Sequence, residues 1–233
     1  MESNTKTIKR TVNLGKLIMQ PINKTPFKLP SNYQRWLESN PADDKNFRSS
    51  YDDIIMNLYK CQNGVCAYTE SFICPSELFD NKSWETGKYL IPDESEFSRV
   101  DHRGELEHFD PENKKVRYWN WDNLFMIDSK INSIKTNKLV HNFLKPDSPD
   151  YSPELYFEYD DQTHRFIAHT EIEDAELIAK IKYMIDEVLC LNHGVVKVDR
   201  KNYINELKDK KLRGQHFVID RFFTSVKWVL EDN

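Results

Sequence analysis

The sequence has 233 residues, a formal net charge of −5, and 39% hydrophobic and 30% charged residues. This composition describes a globular protein with a core of its own, and no apolar run approaches the roughly 20 residues that a membrane-spanning helix needs. The negative charge counts against a protein that coats nucleic acid through lysine and arginine, but it leaves room for a compact basic patch.

The first part of the chain is polar and rich in proline. Residues 1–49 contain four prolines, which predicts an extended arm with one short helix at residues 33–38. Because this segment lacks the apolar core of a secretory signal, the sequence predicts a cytoplasmic protein. Irregular spacing of the cysteines favours reduced thiols over a disulfide framework. They are Cys61, Cys66, Cys74 and Cys190.

A helix is predicted over residues 50–60. Ile54, Ile55 and Leu58 recur there at helical spacing, and a serine before them can cap the helix. Residues 75–103 are polar, irregular and longer than most ordered connections. We interpret them as an insertion over a functional site.

The middle of the chain predicts a strand, a turn, a strand or loop, and a helix. Residues 105–109 alternate in character as a short strand does, and residues 110–113 have the composition of a turn. The aromatic run at residues 116–121 suits the return strand. Asp128 or Ser129 can cap the helix that follows. Its apolar stripe consists of Ile131, Ile134 and Leu139.

The last third predicts a hairpin followed by helices. The proline-punctuated residues 145–153 precede a hairpin over residues 155–168. Thr170 and Glu173 form a capping box that starts a long amphipathic helix, which ends near an Asn-His-Gly triplet. Another helix is predicted over residues 200–212, before an aromatic terminal segment.

Three segments of the middle region carry a family resemblance. They are Glu107-His108-Phe109, Trp121-Asp122-Asn123-Leu124-Phe125 and Ile131-Asn132-Ser133-Ile134-Lys135. In this order they resemble the motifs of HNH endonucleases, in the variant whose last motif residue is Asn. The upstream Cys66-Ala67-Tyr68-Thr69-Glu70 is similar to a Cys-x-Tyr-Cys-Glu segment of HNH proteins from bacterial anti-phage systems, including the retron- and Septu-associated nucleases. Leu191-Asn192 and Asp199-Arg200 resemble C-terminal elements of the same group, so the resemblance covers roughly residues 50–205.

The resemblance implies an α+β fold: a ββα-metal (HNH) core with flanking helices, a β-hairpin and a helical C-terminal part. It predicts an arm over residues 1–49, a nuclease core over residues 50–145 and a C-terminal subdomain over residues 146–233. It further implies a metal-dependent endonuclease that hydrolyses phosphodiester bonds in nucleic acid, with DNA favoured over RNA. Bacterial anti-phage defence, with an ATPase or another defence protein as a partner, is the implied setting.

The resemblance also assigns roles to individual residues. His108 matches the general base, and Asn123 matches the residue that fixes the turn and orients that histidine. Glu107 and Asn132 match the metal-binding positions, and their oxygen atoms suit Mg²⁺ or Mn²⁺. Several basic residues beside the motifs could contact the nucleic-acid backbone, although charge alone favours a solvated surface. The predicted contacts are Lys130, Lys135 and Lys138, with Lys114, Lys115 and Arg117 nearby.

The sequence departs from the family at a structural zinc site. Many relatives carry two cysteine pairs there, but Thr69 replaces the second cysteine of the first pair, and the later pair aligns with Asp128 and Ile131. Cys66 alone cannot build a tetrahedral thiolate site, so we expect no structural zinc. Apolar packing must then hold this region together. The residues expected to pack are Tyr68, Trp119, Trp121, Leu124 and Phe125.

Other interpretations stay open. Each motif taken singly is typical of a surface strand, a solvated helix or a packed turn, and only their joint order favours a nuclease. Asp101-His102 is a competing acid–histidine pair, and two of the scattered histidines with a carboxylate could hold redox iron. The chain could also be a catalytically inactive HNH-like module that binds nucleic acid or protein, which the loss of the zinc cysteines favours. A purely structural interaction protein is the third hypothesis.

Overall fold

The computed structural model describes residues 22–25, 51–76, 79 and 102–231. Most of the predicted arm, most of the predicted insertion and Asp101 lie outside the described residues. The described chain combines helices with two small antiparallel sheets, so the α+β class is confirmed. Its elements are α1 (Tyr51–Gln62), β1 (Gly104–His108), α2 (Pro111–Val116), β2 (Leu124–Asp128), α3 (Ser129–Lys135), β3 (Phe157–Asp160), β4 (Arg165–Ala168), α4 (Ala175–Tyr183), α5 (Gly194–Leu212) and α6 (Phe223–Glu231).

The first sheet pairs β1 with β2, and α3 follows β2 directly. The strands are antiparallel, with Gly104 opposite Asp128 and His108 opposite Leu124. The Asp128 carboxylate caps α3 by accepting from the backbone N–H groups of Lys130 and Ile131, at 2.9 and 3.4 Å. The predicted first strand and the predicted cap of the helix are therefore confirmed.

Residues 116–121 do not form the return strand that their aromatic character suits; the alternative, a loop, is observed, and β2 begins only at Leu124. Residues 110–113, predicted to be a turn, lead into α2, because the Asp110 side chain caps the Glu112 N–H and Pro111 occupies a first-turn position that needs no N–H donor. The aromatic residues that follow lie in the connection to β2, where Trp119 is buried. Their aromatic character reflects packing in a loop, which a strand pattern does not distinguish.

Helix α3 is also shorter than its apolar stripe suggested. It ends at Lys135, because Thr136 adopts a left-handed φ of 54°. Leu139, assigned to the stripe, is 59% exposed.

The C-terminal half contains the predicted hairpin, β3 paired antiparallel with β4. Helix α4 begins after Asp174, whose carboxylate accepts from Glu176 N and Leu177 N, and not after the capping box predicted at Thr170. It continues into a π-helical turn at Met184–Val188. Helix α5 begins already at Gly194, earlier than the predicted residue 200.

The main core is built around α1 and β2. The predicted helix over residues 50–60 is confirmed as α1, and Ile54, Ile55 and Leu58 are buried. At the end of α1 the buried Gln62 side chain donates to Met126 O (2.7 Å) and accepts from Met126 N (2.9 Å). These two bonds join α1 to β2 and satisfy the same backbone groups that a neighbouring strand would pair with. The same cluster of buried residues continues through β3, β4 and α4.

A second core lies between α3, α5 and α6. It contains Ile131, Ile204 and Val226. Glu70 caps α6 from a distant part of the chain, because its carboxylate accepts from the backbone N (2.9 Å) and hydroxyl (2.6 Å) of Thr224. No helix in the described part of the chain has the length and apolar character to cross a membrane.

Candidate active site

His108 ends β1 and is buried, with 4% of its surface exposed. Its Nε2 lies 2.7 Å from the backbone oxygen of Tyr118. Because a carbonyl oxygen only accepts, Nε2 must carry the proton, and in the neutral ring Nδ1 then carries the lone pair. The Tyr118 side chain packs on the imidazole with ring centroids 4.5 Å apart, which fixes the ring plane.

The surroundings of His108 keep it neutral. Burial lowers its pKa from 6.5 to about 4, and the charges of Lys114 and Lys135 act in the same direction, while the hydrogen bond to Tyr118 opposes them. At neutral pH the imidazole is therefore uncharged, with a proton on Nε2 and none on Nδ1. A neutral ring held by one nitrogen is the form that accepts a proton at the other.

Asn123 closes the connection between the two strands. Its Oδ1 accepts from Asp110 N (2.8 Å), its Nδ2 donates to Asp110 O (3.0 Å), and its own backbone oxygen accepts from Phe109 N (2.9 Å). These bonds hold the chain immediately after His108. The arrangement suits the orienting role that the sequence predicted for Asn123.

Glu107 lies in a buried ion pair. Its Oε1 is 2.5 Å from Lys135 Nζ, and only 7% and 1% of the two side chains are exposed. Burial raises the pKa of Glu107, while the Lys135 charge opposes that rise. Lys135 was expected to contact nucleic acid, but its ammonium is directed into the protein and compensates a buried carboxylate.

Asn132 contacts Glu105, which is not part of the motifs in the sequence. The Asn132 Nδ2 donates to Glu105 Oε2 at 2.9 Å, across the gap between α3 and β1. Glu105 is exposed and lies two residues before Glu107, so both carboxylates are on the face of β1 that α3 covers. The signal was available, because alternate acids on a strand share one face.

The sequence assigns a divalent cation to Glu107 and Asn132, and Glu105 adds a third side chain with oxygen atoms at this place. Glu105, Glu107 and the amide oxygen of Asn132 are hard ligands of the kind that Mg²⁺ prefers, and they lie on facing sides of β1 and α3. No three His, Cys, Asp or Glu side chains converge in a metal-binding group within the described ranges. These oxygen atoms fit the chemistry of magnesium. Glu107 would have to bind the cation while it is also paired with Lys135.

The basic residues near the motifs have different environments. Lys130 is exposed, whereas Lys138 donates to Glu187 O (2.9 Å) and pairs with its carboxylate (3.5 Å). The Lys114 Nζ lies 5.4 Å from the centre of the Tyr118 ring, and its charge acts on both Glu107 and His108. Lys114 is therefore the exposed cation with the clearest electrostatic link to His108.

The positions that match the zinc cysteines of relatives do not fit a zinc ion. Cys66 is buried, which raises its pKa, and Thr69 and the backbone of Asp128 hydrogen-bond to its sulfur. One thiol, one hydroxyl and a carboxylate that caps α3 do not make a tetrahedral thiolate site. The predicted apolar packing is confirmed. Tyr68, Trp119, Leu124 and Phe125 are buried in the main core, and Trp121 packs against it.

Two histidines outside the motifs are bonded to tyrosines. His102, which belongs to the competing Asp101-His102 pair, shares a hydrogen bond of 2.7 Å between its Nδ1 and the Tyr59 hydroxyl. His164 likewise contacts Tyr159, with 3.0 Å between Nδ1 and the hydroxyl. Neither belongs to a group of metal-binding side chains among the described residues. All four cysteines are free thiols.

Comparison with known proteins does not assign this chain to a family. No model of a protein family matches the chain, and no curated protein matches it.

Proposed function

We propose that this protein is a metal-dependent nuclease of the HNH class that hydrolyses phosphodiester bonds, with His108 as the general base. The observation that supports the proposal best is the state of His108: it is buried, neutral and tied through Nε2 to a backbone carbonyl. Adjacent to it in the chain is Glu107, and the facing helix brings Asn132 to β1. Metal-assisted hydrolysis of a phosphodiester needs a base for the water and oxygen ligands for the cation, and these residues supply both kinds of group.

The chemistry follows from these positions. Nδ1 of His108 removes a proton from a water molecule, the water oxygen forms a bond to phosphorus, and the bond from phosphorus to the leaving oxygen breaks. The Tyr118 carbonyl holds the imidazole during this step, Asn123 holds the chain that follows His108, and Lys114 attracts the phosphate. A divalent cation, when bound by Glu107, Asn132 and Glu105, supplies charge neutralisation at the phosphate and at the leaving oxygen.

The motif resemblance supports the finer parts of the proposal: DNA as the favoured substrate, a role in bacterial anti-phage defence, and an ATPase or another defence protein as a partner. These parts rest on the resemblance alone, since similarity of fold does not fix a biological role.

A second candidate function is an inactive module that binds nucleic acid. One observation favours it, because Lys135 already compensates the charge of Glu107, the residue assigned to the cation. The two candidates differ in cation binding. An active nuclease binds Mn²⁺ through Glu107 and Asn132, so Asn132→Ala should weaken Mn²⁺ binding. In an inactive module Asn132→Ala should leave Mn²⁺ binding unchanged.

The deciding experiment measures cleavage of plasmid DNA and of total RNA with Mg²⁺ or Mn²⁺. We expect the wild type to cleave, EDTA to stop cleavage, and His108→Ala to lower the rate by about 10²- to 10⁴-fold. His216→Ala is the matched control, because His216 is exposed and remote from these motifs in the chain. Unchanged cleavage by His108→Ala would contradict the assignment, and nucleic-acid binding without any cleavage would favour the inactive module.

A further inference from the structure

A groove of about 730 Å³ lies at the other end of β1 from His108. It is bounded by the residues just before β1, the first turn of α3 and the first turn of α5. The side chains that matter for its chemistry are Arg103, Lys130, Arg221, His193, Asp128 and Asp199. Its size lies within the range of sites that hold a nucleotide unit.

Two of the three cations that line the groove have no acidic partner among the described residues. Within the described part of the chain, neither Arg103 nor Lys130 has an acidic partner, and both are exposed. Asp128 is engaged in capping α3, whereas Arg221 is compensated by Asp199 at 3.7 Å and by Asp220 at 3.2 Å. In a chain whose net charge is −5, this groove is a local site for an anion.

Unsatisfied polar atoms in the groove give an independent indication of a ligand. Arg221 Nε and His193 Nδ1 are buried and have no hydrogen-bond partner among the described residues. His193 also precedes α5, a helix of 19 residues, without a side-chain hydrogen bond that caps it. Its first turn, with Val195 and Val196, lines the groove, and backbone N–H groups at a helix start favour negative charge.

We propose that this groove binds a phosphodiester of a nucleic-acid strand at a second site, outside the cleavage site; this inference rests on the proposed nuclease function for the identity of the ligand. From Arg103 to His108 the extended chain spans about 17 Å, which corresponds to about five base steps at 3.4 Å each. The bound strand therefore extends beyond the cleaved bond. A strand suits the groove better than a free nucleotide, because Arg103, Lys130 and Val195 are exposed and small-ligand sites bury most of the ligand.

The test measures binding without cleavage. The protein carries His108→Ala, the buffer contains EDTA, and the probes are fluorescently labelled 20-nucleotide DNA, single-stranded and duplex. We expect Arg103→Glu with Lys130→Glu to weaken binding at least tenfold and to lower the slope of log affinity against log salt by about 2. Lys182→Glu is the control, because Lys182 is exposed on α4 and does not line the groove.

Each outcome bears on the groove separately from the nuclease. Equal affinity of the double variant and the control at every salt concentration would overturn the proposal, and so would a failure of the His108→Ala protein to bind either probe. Displacement of the probe by micromolar AMP would overturn the assignment to a strand in favour of a free nucleotide. If this protein binds as expected but the wild type cleaves nothing, the groove stands and the nuclease proposal fails.

Discussion

The two ends of α3 use lysine in opposite ways. At the C-terminal end Lys135 is 0% exposed and its ammonium contacts Glu107, whereas at the N-terminal end Lys130 is exposed beside the groove and has no acidic partner in the part of the chain that the structure describes. The two residues belong to one helix of seven residues. The difference shows that burial decides what a lysine does: inside the protein it compensates a carboxylate next to the proposed base, and at the surface it stays available to a ligand.

Burial also sets the energy scale at each end. A buried ion pair adds little net stability, because both charges lose water, but removal of one partner leaves an uncompensated charge in the interior. An exposed lysine without a partner has no such dependence, since water solvates it in any conformation. The comparison can therefore be tested by matched substitutions.

The largest expected effect is on stability. Lys135→Met should lower the free energy of unfolding by about 3–5 kcal/mol, because it leaves Glu107 buried without a counter-charge. Lys130→Met makes the same chemical change at the other end of α3 and should alter stability by about 0.5 kcal/mol or less. Urea denaturation of the two variants measures both values.

A double variant separates charge from packing. Glu107→Gln with Lys135→Met removes both charges and should recover most of the lost stability. If Lys135→Met unfolds at the same urea concentration as Lys130→Met, the buried pair does not carry the energy assigned to it.

The second effect is a dependence of stability on pH at the buried end. Because burial lowers the pKa of His108 from 6.5 to about 4, the unfolded chain takes up a proton between these values while the folded chain does not. The contribution of His108 to stability is therefore complete above pH 6.5 and is lost as the pH falls to 4, by up to about 3 kcal/mol.

Urea denaturation at several pH values, for wild type and His108→Gln, isolates this contribution as the difference between the two curves. The difference should change between pH 6.5 and 4 and be flat above pH 7. In the cleavage assay the same pKa predicts that protonation of the base does not lower the rate until the pH approaches 4. A fall in the cleavage rate centred near pH 6.5 would show that His108 titrates as a solvated histidine does.

Much of the fold followed from periodicity. Helix α1 and the β3–β4 hairpin were predictable, because each has a face buried against one core, and the Asp128 cap is a local signal. The connection between β1 and β2 was not predictable in the same way. Its aromatic residues satisfy a strand pattern although they lie in a loop, and only the Asp110 cap and Pro111 reveal that α2 forms where a turn was predicted.

The residues of the candidate site were proposed from the sequence, but the charge environment of these residues was not predictable. His108, Asn123 and Asn132 came from motif order, whereas the burial of Lys135 depends on how α3 meets β1, which no local pattern contains. The groove is less predictable still. Arg103, Lys130 and Arg221 are far apart in sequence, and tertiary packing alone brings them together.

A third, smaller effect concerns cation binding at the buried end. If Glu105 supplies an oxygen ligand beside Asn132, Glu105→Gln should raise the dissociation constant for Mn²⁺ about tenfold. Glu112→Gln is the matched control, because Glu112 is exposed and paired with Lys115 on α2. Isothermal titration calorimetry with Mn²⁺ measures both, and equal constants for the two variants would remove Glu105 from the ligand set.

The smallest effect lies at the open end, where Asp128 both caps α3 and places a negative charge beside the groove. Asp128→Ala should cost about 1 kcal/mol of stability through loss of the cap, whereas Asp128→Asn keeps a capping oxygen and should be nearly neutral. Both remove the charge, so both should bind labelled DNA severalfold more tightly than the parent in the His108→Ala background. If the Asn variant binds DNA more tightly without losing stability, the gain in affinity comes from removal of the negative charge beside the groove. Unchanged binding in both variants would mean that the DNA does not bind in the groove.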